Sequence, residues 1–94
     1  MDKPNNNQIN DLWRVVNQQK IFEPLTLKNL FNEIIPFFQN KGYEVNIEAH
    51  GQNGFSCKLR NVVKSKAGNT YSGQDVIEAV FWSLYDEIKS SNAL

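Results

Sequence analysis

The sequence predicts an α+β fold of two layers, with helices packed on one face of a small antiparallel sheet. Apolar residues recur at helical spacing in three stretches, 9–20, 26–41 and 73–90. Between the second and third lies an alternating stretch broken by a glycine-rich turn, which is the signature of a β-hairpin. The chain has 94 residues, enough for one core. The predicted order is therefore helix, helix, hairpin, a short further strand and a helix over 9–90, preceded by a flexible polar tail at 1–8.

In the first helix, Ile9, Leu12, Trp13 and Val16 fall at offsets of 0, 3, 4 and 7, one apolar stripe. Asn10 and Asp11 place capping groups near its start. Such a short helix needs docking to persist. Ile21 to Pro24 reads as an extended connector, because the residue before a proline disfavours helical backbone.

In the second helix Thr26 is the expected N-cap. Leu27, Leu30, Phe31, Ile34 and Phe38 form the expected buried stripe. Lys41-Gly42 ends it with a cation and a residue that tolerates the left-handed cap. Pro36 lies inside the pattern. It removes one amide donor and crowds the carbonyl of Asn32, so a kink is expected there.

The hairpin spans 43–66. Tyr43, Val45, Ile47 and Ala49 alternate with polar residues, and Phe55, Cys57 and Leu59 alternate on the return. The apolar halves should face the helices, leaving Glu44, Glu48, Lys58 and Arg60 outside as cross-strand charges. Gly51-Gln52-Asn53-Gly54 forms the turn. Asn69-Thr70-Tyr71 is the short third strand. The last helix opens at Ser72-Gly73-Gln74-Asp75, which has capping-box spacing. Its stripe is Ile77, Val80, Phe81, Leu84 and Ile88. Val76, Trp82 and Tyr85 lie outside that stripe, more apolar surface than one sheet face requires.

Composition bounds the function. With 40% hydrophobic and 12% aromatic residues the chain is too apolar to be disordered. Ten basic residues balance ten acidic ones, which excludes a wholesale polyanion binder. The single cysteine, Cys57, excludes an internal disulfide framework and a cysteine-cluster metal site. No apolar run approaches a membrane span and Met1 to Asn10 is polar, so the expectation is a cytoplasmic protein with no cofactor and no metal. Asn and Gln number 19, a load that coding bias explains without a functional role.

The charge is unevenly placed. Lys58, Arg60, Lys64 and Lys66 are the only charges between Ala49 and Gln74, whereas Asp75, Glu78, Asp86 and Glu87 outweigh Lys89 beyond it. The basic segment 58–66 is the candidate phosphate-binding site, set against the plainer reading of a solvated strand face. His50 has no second histidine or activated nucleophile to complete a catalytic set, so no catalytic residue is assigned. The surplus aromatic surface makes Trp13, Trp82 and Tyr85 the candidate partner-binding residues, for another protein or for a second copy in a homodimer.

Three resemblances accompany this pattern. The step Lys41-Gly42-Tyr43, the hairpin, and the entry Gly73-Gln74-Asp75-Val76-Ile77-Glu78-Ala79 resemble the small phage and prophage proteins of the ABA-sandwich type. That likeness implies a phage or mobile-element accessory protein that binds a host or phage protein. The element order is also similar to double-stranded RNA-binding domains, although Gly73 to Glu78 carries two acids where those domains carry lysines. It resembles the HicA-type toxin ribonucleases in topology too, but Ala49-His50-Gly51 replaces their Gly-Ser-His order. The expectation is a non-enzymatic protein-interaction module, with nucleic-acid binding through 58–66 as the alternative.

Overall fold

The computed structural model describes residues 3–17 and 23–91. Its order is α1 (Asn6–Val16), α2 (Leu27–Asn29), a π-helical turn (Leu30–Ile34), α3 (Ile35–Asn40), β1 (Tyr43–Ala49), a 3-10 turn (Gly51–Asn53), β2 (Phe55–Asn61), β3 (Lys66–Gly73) and α4 (Val76–Ser91). The strands form one antiparallel sheet in the order β1-β2-β3, and the helices pack on one face of it: an α+β fold.

The first helix starts within the polar stretch expected to be a tail. Asn5 accepts from the Gln8 amide at 2.9 Å, and the Gln8 side chain accepts from the Asn5 amide, a reciprocal cap made by amide side chains. The helix ends at Val16. The expected continuation to residue 20 and the extended connector at Ile21-Phe22 lie outside the described residues. Leu12 and Trp13 are fully buried, with Ile9 and Val16 packed beside them.

The long helical rod 27–40 is interrupted as Pro36 requires, but by a widened turn. The Ile35 amide donates to the Leu30 carbonyl, five residues back. That spacing adds a residue to one turn and relieves the clash behind a proline that cannot donate. It also corrects the expected stripe. One added residue rotates the segment before the widened turn by about 100° relative to the segment after it. Ile35 enters the core in place of Phe31, and Leu27 and Phe31 turn outward, 55% and 46% exposed.

Thr26 caps the rod. Its hydroxyl accepts from the Asn29 backbone amide, the Asn29 side-chain oxygen Oδ1 accepts from the Thr26 backbone amide, and the Asn29 Nδ2 donates to the Pro24 carbonyl at 2.9 Å. Gly42, at φ +96°, closes the rod, and its carbonyl accepts from the Val62 amide at 2.8 Å.

In the sheet, β1 and β2 pair without interruption from Tyr43↔Asn61 to Ala49↔Phe55. β3 is a full strand of eight residues, longer than the three-residue piece expected. A register shift between Lys58 and Arg60 puts a bulge in it around Gly68 and Asn69. Its burial explains why alternation did not reveal its length: only Gly73 is buried, with Gly68 and Tyr71 half-buried. Gly54, at φ +83°, and Gly73 bring β2, β3 and α4 together. A Cβ at Gly73 would stand 2.6 Å from the Glu78 Cβ.

Ser72 belongs to β3 and does not cap the last helix. Asp75 does, its carboxylate accepting from the Glu78 amide at 2.9 Å. Beneath α4 the core joins Leu12, Trp13, Leu30, Ile34, Phe38, Cys57, Leu59, Val80, Phe81 and Leu84.

Candidate functional site

The aromatic residues are placed first by packing. Trp13 is 1% exposed, and its indole N–H donates to the Glu23 carbonyl at 2.8 Å. It fills the core of its own chain, which removes it from the surface set. Trp82 and Tyr85 are half-buried. They form one cluster with Phe81: Trp82 meets Phe81 edge-on at 5.1 Å, and Tyr85 stacks on Phe81 at 5.2 Å. The Tyr85 hydroxyl and Lys89 both engage Asp11 of α1, at 3.1 and 3.5 Å. The hydrogen bond to Tyr85 holds the exposed Lys89 ammonium above the usual lysine range. Of the surplus apolar residues of α4, Tyr85 is thus tied to α1.

The basic residues divide between two places. Cross-strand partners share a face, so the register puts Lys58 and Arg60 on the sheet face away from the helices. There Arg60 lies 3.7 Å from Glu44, and Lys58 is flanked by Asn46 and Thr70. Lys64 and Lys66 lie at the far end of the β2–β3 hairpin. They line a cleft of about 350 Å³ against Asp86 and Glu87 of α4. The Glu87 carboxylate accepts from the Tyr43 hydroxyl at 3.0 Å. Burial first, then that carboxylate, raises the Tyr43 phenol above its ordinary value; burial and Asp86 do the same to Tyr71. No described carboxylate stands within ion-pair distance of Lys64 or Lys66.

The sheet also makes a contact that the sequence pattern did not reveal. His50 folds back over the hairpin, with Nε2 at 2.7 Å from the Ser56 hydroxyl and 4.0 Å from Glu48. Ser56 is buried under the ring although it lies on the polar face. The signal was the register alone, which sets Glu48 opposite Ser56. Both neighbours approach the same ring nitrogen, whereas a catalytic triad needs its acid on the other one. The arrangement closes the end of the hairpin. Cys57 is buried, and burial pushes its thiol up.

Among the described residues no group of three or more His, Cys, Asp or Glu side chains is placed to hold a metal ion. Among the same residues no helix is long and apolar enough to cross a membrane. What remains open to a partner is apolar surface of a kind burial normally removes: Leu27 and Phe31, one turn apart, and Val62 and Val63 at the hairpin end. No protein-family profile, no curated protein and no solved structure matches the chain.

Proposed function

We propose that this chain is a protein-interaction module that acts by binding. The observation that carries the reading is the outward pair Leu27 and Phe31 on a helix whose other side is fully buried. Two large apolar residues one turn apart supply the anchor pattern by which helices engage protein partners. Trp82 and Tyr85 remain half-exposed on α4. Trp13 does not, since the core holds it.

The test is site-specific photo-crosslinking. A photoreactive phenylalanine at position 31 should form protein adducts that the Leu27→Asp change abolishes, with the urea midpoint unchanged. The same group at position 58, on the opposite face, is the control. Adducts at neither position would overturn the reading.

A second reading is nucleic-acid binding. It is favoured by the completed third strand, which fills out the helix, three strands, helix order, and by Lys58 and Arg60 on the open sheet face. Against it stand the Glu44 partner of Arg60 and the acids at the start of α4, Asp75 at its N-cap and Glu78 in its first turn. If it holds, each neutralisation of Lys58, Arg60, Lys64 or Lys66 should lower the salt slope of binding by about one unit. An unchanged slope in the quadruple alanine variant removes the segment from consideration.

A further inference from the structure

The two edges of the sheet are built differently. β3 carries the marks by which proteins blunt an edge: a bulge, Gly68 within the strand, and Lys66 pointing to the helix side. β1 has none of them. It is seven residues long, pairs with β2 in unbroken register, and contains no proline, glycine or lysine. Among the described residues nothing hydrogen-bonds to its other edge. Its helix-side residues Val45 and Ile47 are only half-buried, although they sit at positions where central strands hide their side chains.

Charge decides what this edge accepts. The solvent side of β1 presents Glu44, Asn46 and Glu48, and the strand holds no cation. A second copy pairing antiparallel along the whole of β1 must centre on Asn46, which sets Glu44 against Glu48 at both ends, and like charges directly opposite each other are destabilising. Registers that avoid this leave part of the strand unpaired. Pairing β1 with the β3 of another copy is a head-to-tail contact, which propagates instead of closing and would meet the bulge. A strand from a different protein avoids both difficulties if it carries cations opposite the glutamates.

We propose that β1 receives an added antiparallel strand from a partner protein, with basic residues at two positions four apart on the solvent side and apolar residues between them on the helix side. Backbone ladder bonds supply the attachment, Val45 and Ile47 supply apolar contact, and Glu44 and Glu48 set the register. This rests on the reading of the chain as a protein-interaction module and names its partner's chemistry. Glu44 remains available because its bond to Arg60 is a half-exposed pair at 3.7 Å. The rod that carries Leu27 and Phe31 ends in α3, which packs on β1.

The experiment uses the full chain and a synthetic peptide with the core Lys-Val-Thr-Val-Lys. Binding should slow hydrogen exchange along β1 and leave β3 unchanged. The double variant Glu44→Lys, Glu48→Lys should weaken the lysine peptide by about tenfold or more and should gain affinity for a peptide with glutamates in place of the lysines. N-methylation of the peptide's alternate backbone amides, with charge unchanged, should abolish binding. Three results would overturn the proposal: no binding at millimolar peptide, equal binding by the N-methylated peptide, or protection elsewhere than β1. Adducts at position 31 would persist in each of those cases if only the wider reading were correct.

Discussion

Gly73 shows how much one missing side chain supports. With β3 and α4 this close, a methyl group there meets the Glu78 Cβ and, at 2.9 Å, the Ala79 amide nitrogen. Gly73→Ala should therefore cost about 1–3 kcal/mol of overpacking, read as a lower urea midpoint with an unchanged slope. Gly51→Ala meets no neighbour, so its positive φ of +61° is the only strain, and it should cost less. Cys57, Tyr43 and Tyr71 share a second property. Each is an acid whose folded pKa is raised above its ordinary value, 9.0 for the thiol and 10.0 for the phenols, with burial the first cause. The unfolded chain releases these protons first. Their stabilisation is therefore complete below pH 9 and is lost as pH climbs through the ordinary values toward the raised ones. A melting temperature that falls from about pH 9 upward checks this, and Tyr43→Phe should flatten part of the fall. The native thiol should also stay unreactive to a thiol reagent at neutral pH until denaturant is added.

Elements were legible where apolar spacing defined them. The α+β class followed from three helical stripes and one alternating hairpin. The interruption near Pro36 was legible as well, but its form was not. Hydropathy says a proline must be accommodated and is silent on whether the chain bends or adds a residue to a turn. That difference moved Leu27 and Phe31 from the expected core to the surface. β3 was nearly invisible because Lys66-Ala67-Gly68-Asn69-Thr70-Tyr71-Ser72-Gly73 is held by its backbone ladder to β2, and backbone bonds leave no alternation to read. The His50–Ser56 contact was hidden for a related reason, since it exists only once the register is known. The cap at Thr26 belongs to this scale too. Thr26→Ala should cost about 1 kcal/mol. Asn29→Ala should cost more, because the buried Asn29 side chain serves both Thr26 and the Pro24 carbonyl. Chemical denaturation of the two variants ranks them.

At the scale of the whole molecule, the first helix explains why the aromatic candidates divided. The stripe Ile9, Leu12, Trp13, Val16 and the apolar excess of α4 were both plain in the sequence. A hydropathy pattern cannot distinguish a helix that covers its own chain from one that covers a partner. The structure has α1 covering α4, with Tyr85 and Lys89 reaching Asp11. Trp13→Ala should accordingly cost about 3–5 kcal/mol of fold stability, a large share of what a domain of this size possesses. Thermal melting and sedimentation of the same sample check it: a destabilised monomer is the expected result, and an unchanged melting temperature would return Trp13 to the surface.

The docking of α1 on α4 has a kinetic consequence. The three strands and α4 are consecutive along the chain, so their contacts close over short loops. The Tyr85 hydroxyl and Asp11 are 74 residues apart. Closing so long a loop gives little return until the sheet and α4 already exist. α1 should join after the rate-limiting step, as the last element in and the first element out. Leu12→Ala would then leave the folding arm of a chevron plot in place and raise the unfolding arm, whereas Leu59→Ala in the central strand would slow folding. Stopped-flow measurements on the two variants should separate them, and equal slowing of folding by both would place α1 in the nucleus instead.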